Sequence, residues 1–389
     1  MKTNWDLTVF YKDFDDPEFK DDLARLPKEI DAFTAAIAAP AEDEVEKLVS
    51  LVHQEEALSN LFERLSLMIE LTLSVDANNK AANAALAPLM RAVMGSSLAS
   101  NAFSRYLASL ENLDAIIDAD DELKARAFAL REAAEDAKHQ LPEALEKPVL
   151  KMQLSGGEAF SQLRDKLDAT LLVDYDGKQI PLSAVRALAY DGDADTRRRA
   201  YEAELASYKK IELPMSFCLN NLKAEGETMA ALKGYKGVLD MALAHSRMDE
   251  KTLEAMWTAI REALPELREY FKAKGRLLGH ENGLPFYDLF APVGQSTRTY
   301  TVEEARALLL DLFGKFCPEM GEMMRTAFDE GWIDMYPREG KSGGAFCSGY
   351  YAKNISRVMT NFAGSASDVS TLAHELGHAF NNRMLHHKP

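Results

Sequence analysis

His374-Glu375-Leu376-Gly377-His378 is the stretch on which the reading of this chain turns. A helix advances about 100° per residue, so with His374 at zero His378 falls near 40° and Glu375 near 100°. Two imidazoles and a carboxylate share one narrow arc, with Val369, Leu372, Leu376, Ala379 and Phe380 over much of the opposite side. Imidazoles at i and i+4 are surface neighbours and can converge on one ion, about 2.0–2.1 Å from each nitrogen. His374 and His378 are therefore candidate zinc ligands, with Glu375 as candidate general base. Zinc polarises an attacked carbonyl and lowers the pKa of its water to about 7. Amide hydrolysis needs both effects, because an amide is a poor electrophile and neutral water a poor nucleophile.

The flanks suit a buried helix with one polar edge. Leu372-Ala373 and Ala379-Phe380 are uncharged, and Ser365, Ser367 and Asp368 offer capping side chains just ahead. The plainer reading is an ordinary helix whose histidines are surface or satisfied core groups. A catalytic zinc takes three protein ligands plus water, and the tail supplies no obvious third. Residues 379–389 contain no Asp or Glu, and the three-histidine variant of the motif would need histidine at Met384 and glycine at Asn381. His386 lies about 12 Å beyond His378 along a continuous helix. His386 and His387 therefore read as solvated groups, and the expectation is that the chain stops before its third ligand.

Outward from this motif, helical periodicity dominates. Residues 42–74 carry Val45, Leu48, Val49, Val52, Leu58, Leu61, Leu65, Met68, Ile69 and Leu71 at three- and four-residue steps, and 79–110 continue similarly. Residues 115–147 are charged and helical, with Pro142 and Pro148 expected as breaks. Ser155-Gly156-Gly157 changes the texture, and residues 170–181, centred on Asp176-Gly177, read as a β-hairpin. Helix resumes near Ser183, at Asp195, and over 211–278 with interruptions at Gly234 and Gly237. Phe286-Tyr-Asp-Leu-Phe-Ala-Pro292 reads as an aromatic loop, Lys341-Ser-Gly-Gly-Ala-Phe-Cys-Ser-Gly349 as an extended segment, and Arg357-Val-Met-Thr-Asn-Phe362 as a strand. A glycine-rich strand beside a metal helix admits another backbone, either a hairpin partner or a peptide added to an exposed edge. Gly344, Ala345 and Phe346 are the candidate substrate-binding residues. Cys347 reads as structural.

Composition narrows the class. At 389 residues, 47% hydrophobic and 28% charged, the chain has the make-up of a globular protein with a sizeable core. A net charge of −17 argues against nucleic-acid binding, which needs a basic face. The opening residues are charged where a signal peptide is apolar, and the alanine-rich run 32–41 is too short to span a bilayer. Three widely spaced cysteines imply no disulfide framework. A cytoplasmic protein without membrane or nucleic-acid partners is expected.

These residues carry a family resemblance. Ser155-Gly156-Gly157, the 171–180 hairpin and Asp195-Thr-Arg-Arg-Arg-Ala-Tyr201 resemble the N-terminal lobe of oligoendopeptidase F proteins. The aromatic loop 286–292, Gly343-Gly-Ala-Phe-Cys347 and the run from Asn361 to His378 resemble their catalytic domain. The resemblance covers most of 110–389. It implies a mostly α, multi-lobed helical zincin-type metallopeptidase of the thimet-oligopeptidase-like M3 class, with a small β-hairpin in its N-terminal part and a short sheet beside the metal helix. The segments would be a helical region 1–110, an N-terminal lobe 111–195, and the first part of the catalytic domain 196–389. It further implies one zinc ion held by His374 and His378, Glu375 as base, and short unstructured peptides as substrates, admitted to a long cavity. The family's third ligand is a glutamate some two dozen residues or more further on, so the chain alone is expected to be inactive or nearly so. A helical zinc exopeptidase, or a scaffold with a vestigial motif, are the alternatives.

Overall fold

The computed structural model describes residues 2–294, 298–338 and 340–386. Its contacts group into two compact units, Met1–Ala137 with Thr297–Pro389, and Lys138–Ser296. This division does not follow the sequence segments 1–110, 111–195 and 196–389, because the N-terminal helices pack with the last part of the chain.

The first unit opens with three long helices, α1 (Pro17–Ala38), α2 (Glu44–Val75) and α3 (Lys80–Ser109). Each starts where a side chain accepts a backbone N–H, from Asp16, Asp43 and Asn79 respectively. The shorter α4 (Leu113–Ala119), α5 (Asp121–Ala125) and α6 (Ala127–Asp136) follow. The apolar stripe anticipated on α2 is the core here: Leu48, Leu65 and Ile69 are fully enclosed, against Leu26 of α1 and Leu89 of α3.

The second unit holds α7 (Glu143–Ser155), α8 (Gly157–Thr170), β1 (Leu172–Tyr175), β2 (Lys178–Pro181), α9 (Leu182–Ala187), α10 (Ala194–Tyr208), α11 (Glu212–Leu232), α12 (Val238–His245) and α13 (Glu250–Leu277). The hairpin is present, antiparallel, with Val173 opposite Ile180. Its turn residues Asp176 and Gly177 both take positive φ, as a two-residue turn matched to strand twist requires. Pro148 does not break the chain: it lies inside α7, and only Pro142, at the N-cap, marks a boundary. A helix forgoes one hydrogen bond to hold an internal proline, a cost that packing can offset; α7 packs on α8. Ser155-Gly156-Gly157 is the junction between those two helices. Gly157 N–H donates to Glu225 Oε2 at 2.6 Å, and a Cβ on Gly157 would meet that carboxylate at 2.6 Å. The glycine thus lets an α11 carboxylate seat on the N-terminus of α8, where the helix dipole favours it.

Two motifs far apart in sequence meet in this unit. Arg197, from the arginine run of α10, pairs at 2.8 Å with Asp288 of the aromatic loop, and both are buried. Asp288 also engages His280 Nε2 at 2.6 Å, and Arg197 donates to the Asp191 carbonyl at 2.6 Å.

The chain then returns to the first unit through α14 (Val302–Phe316), α15 (Pro318–Glu330), β3 (Ile333–Asp334), β4 (Phe346–Tyr350), β5 (Ile355–Met359) and α16 (Ala366–Leu385). The strands form a sheet in the order β3-β5-β4, with β3 parallel and β4 antiparallel to β5. β4 is therefore an edge. The N-terminal segment straps the other side: Asp6 N–H donates to Gly331, Thr3 accepts from Met335 N–H, and buried Arg357 of β5 donates twice to the Asp6 carbonyl. No helix among the described residues is long and apolar enough to cross a membrane.

The base of the sheet is held by a buried ion cluster. Asp334, 1% exposed, takes two bonds from Arg338 at 2.7 and 2.9 Å and one from Lys341 at 2.6 Å. Lys341 also donates to the carbonyls of Tyr336 and Thr360, at 2.8 and 2.6 Å. Removing one partner of such a cluster strands the other charge away from water. Asp334→Asn is expected to destabilise the first unit by about 3–5 kcal/mol, measured as a lower midpoint in urea; an unchanged midpoint would show that the cluster contributes nothing net.

Candidate active site

Everything at the site is positioned by α16. Ser365 and Asp368 form a reciprocal cap: Ser365 Oγ accepts Asp368 N–H at 3.1 Å, and Asp368 Oδ2 accepts Ser365 N–H at 2.9 Å and Ala363 N–H at 3.1 Å. Of the three capping candidates, Ser367 is not used. Gly364, at φ +98°, makes the entry possible, since a Cβ there would lie 2.8 Å from the Tyr300 carbonyl oxygen.

The helix buries Val369, Leu372, Leu376 and Ala379 against Met324, Phe328, Ile333 and Val358. His374 and His378 stand on the exposed side. Their Nε2 atoms are 3.0 Å apart and their rings perpendicular, with centroids 4.6 Å apart. A tetrahedral ion about 2.0–2.1 Å from each nitrogen would space them about 3.3–3.4 Å apart, so the pair already converges as two ligands of one ion must. Glu375 keeps its place about 100° around the helix from His374. It is 7% exposed, on the border between the buried face and the open one.

A cleft of about 600 Å³ lies along this border. One wall is Gly344, Ala345, Thr360, Asn361 and Phe362; the other is α16, through Ser367, Asp368, Ser370, Thr371, His374 and Glu375. Gly344 and Ala345 thus line the cleft with the motif, whereas Phe346 and His378 are not among its lining residues. The Phe346 ring packs toward the N-terminal core, 6.2 Å from the Trp5 ring. Asn361 was not singled out from sequence. Its Nδ2 donates to the carbonyls of Ser342 and Gly344, both at 2.9 Å, and fixes the glycine loop as a wall. A side-chain amide bonding backbone across a loop leaves no mark in local periodicity.

His386 is not merely solvated. Its carbonyl accepts the Tyr351 hydroxyl at 2.8 Å and its Nδ1 lies 3.1 Å from the Tyr351 carbonyl, which holds it away from the histidine pair. His387 lies outside the described residues. Among the described residues, no three His, Cys, Asp or Glu side chains converge as a complete metal centre would require.

Cys347, on β4, does have an acid within electrostatic reach. Burial first, and the Glu375 charge in addition, push its thiol up to about 11. The thiolate is the reactive form, so at pH 8 alkylation of Cys347 by iodoacetamide is expected to lag well behind a free thiol, followed by peptide mass spectrometry. Labelling as fast as a free thiol would contradict that environment.

Comparisons with known proteins bear on the family and the fold. The model of peptidase family M3 matches residues 187–387, more than half of the chain, and the model named Oligopeptidase F matches 108–172. An oligoendopeptidase F homologue of Lactococcus lactis subsp. lactis is 22% identical over 98% of this chain and 64% of its own length. Oligopeptidase PepF of Bacillus subtilis is 26% identical over 67% of this chain and 39% of its own length. The solved structure of PZ peptidase A shares the fold, with a TM-score of 0.74 at 18% identity over 95% of this chain and 63% of that one. The chain thus spans less than two thirds of the length of these relatives. With a helical fold, His374 and Glu375 lining one cleft with His378 beside them, and a family match across more than half its length, this chain belongs to peptidase family M3.

Proposed function

We propose that this chain carries two metal ligands and the general base of a zinc endopeptidase acting on short, unstructured peptides. The observation that carries this reading is the convergence of His374 and His378 Nε2 at 3.0 Å, with Glu375 one residue along and a cleft between α16 and the glycine loop. The donor set fits zinc: two imidazoles on one exposed helical turn, with their Nε2 atoms converging. We place the third donor, a carboxylate, outside the described residues. Zinc bound there would supply Lewis acidity to the attacked carbonyl and a lowered pKa for water.

The chain's own residues do the rest. Among the described residues β4 is an edge strand, and the loop before it presents Gly344 and Ala345 to the cleft, so an extended peptide can lie beside them by strand addition. Glu375 lies at the cleft's border, where its carboxylate can take the proton of the attacking water and hand it to the departing amine. At 7% exposed, that carboxylate is largely out of bulk water. An extended backbone lying along an edge is compatible with cleavage inside a chain, which favours an endopeptidase over an exopeptidase.

Two outcomes test this. With two ligands, the 389-residue chain is expected to bind zinc weakly, to lose that binding in His374→Ala or His378→Ala, and to cleave end-blocked peptides at no enzymic rate. Competition against a chromophoric chelator and a quenched-fluorescence peptide measure both; zinc-dependent turnover by this chain would remove the need for an outside donor. In the protein supplied with its third donor, Glu375→Gln is expected to keep its zinc and lose about 10²–10⁴ in kcat. Wild-type turnover in that variant would rule Glu375 out as the base.

A further inference from the structure

The Asp, Glu, Lys and Arg side chains that line the cleft are of one sign. Among its lining residues none is Lys or Arg, and its two carboxylates, Asp368 and Glu375, stand on the same helix. They are seven residues apart, two turns, which places them on one face about 10 Å from each other along the axis. Thr371 lies between them on the same border. An extended peptide advances about 3.3 Å per residue, so a chain whose scissile carbonyl lies at Glu375 sets a side chain three residues away beside Asp368.

Asp368 is only partly committed to the fold. Both N–H groups that it caps bond to Oδ2, at 2.9 and 3.1 Å, which leaves Oδ1 without a donor among the described residues. The side chain is half-buried and lines the cleft. A half-buried carboxylate with one oxygen unclaimed, in a cleft without Lys or Arg, attracts a cation and repels an anion more strongly than a fully solvated one.

From this geometry we propose that Asp368 is a specificity-determining residue: the cleft selects peptides with a basic side chain about three residues from the scissile bond, on the side toward the start of α16, and rejects acidic ones there. This rests on the reading of the cleft as a peptide site and adds the class of peptide. The cap explains why an acid stands at 368. It does not explain why that acid lines the cleft, nor why no Lys or Arg is among the lining residues.

The test reads binding rather than turnover, so it does not depend on a complete metal centre. Three end-blocked, fluorophore-labelled peptides, identical but for Lys, norleucine or Glu at the third position from the centre, are titrated against the 389-residue chain by anisotropy. The Lys peptide is expected to bind about tenfold more tightly than the norleucine peptide and the Glu peptide more weakly, with the spread shrinking in high salt. Asp368→Asn keeps an oxygen for the capped N–H groups and removes the charge, so the Lys peptide should fall to the affinity of the norleucine peptide. Equal binding of all three by the wild-type chain overturns the inference, whether or not the variant folds. So does a Lys preference that survives in folded Asp368→Asn. If the norleucine peptide binds but charge makes no difference, only the selectivity fails; if none binds, the reading of the cleft as a peptide site fails with it.

Discussion

The seam between α16 and the three-stranded sheet is the contact on which the site depends. Leu372, Leu376 and Ala379 must face Ile333 and Val358 to leave water, and at about 100° per residue that choice fixes every other side chain on the helix. His374 and His378 are driven to the open side, and Glu375 is left on the border, where one flank is buried and the other meets the cleft. No separate device orients the histidine pair; the apolar face does it. Register on this seam is therefore a catalytic matter as well as a packing one. A slip of one residue would carry both imidazoles about 100° away from their present direction.

The opposite wall is secured by polar groups instead. Lys341 is drawn in by Asp334 and by carbonyls from two chain segments, and Asn361 ties the glycine loop down through two more carbonyls. A glycine-rich segment loses more conformational freedom on ordering than any other, so without such anchors it would not hold a wall. Those anchors in turn lean on the N-terminal strap, since Met335 and Arg357, beside them in the sheet, bond to Thr3 and Asp6. The first few residues of the chain thus support a wall more than three hundred residues away.

What the sequence made legible follows from this division. The histidine pair, the neighbouring Glu375 and the buried face of α16 are spaced by helix geometry alone and could be read from a few consecutive residues. The hairpin was legible because Asp176-Gly177 demands one turn type, and the stripe on α2 because its period repeats for eight turns. Pro148 misled because a proline's effect depends on whether packing repays the lost hydrogen bond. His386 misled because its partner, Tyr351, lies on another element. Asn361, the Asp334 cluster and the pairing of Arg197 with Asp288 were out of reach for the same reason: each joins residues whose proximity exists only once the chain has folded.

Under the proposed function, the same distinction separates the residues that would bind metal from those that would choose substrate. Two imidazoles four residues apart need one helical turn, so the pair persists wherever the helix forms. A cleft needs two walls, and here one is apolar-registered helix while the other is a loop held by ion pairs and amide bonds. Substitutions along the helix face therefore act through the direction of the imidazoles and of Glu375. Substitutions at Asn361, Lys341 or the strap act on the distance between the walls. Asp368 belongs to both sets, because its Oδ2 caps the helix and its side chain lines the cleft. That double duty explains how a residue required for folding can also set selectivity: the cap fixes where its charge stands, and a charge fixed in place discriminates better than one on a mobile side chain, which would spend part of its interaction energy on ordering itself.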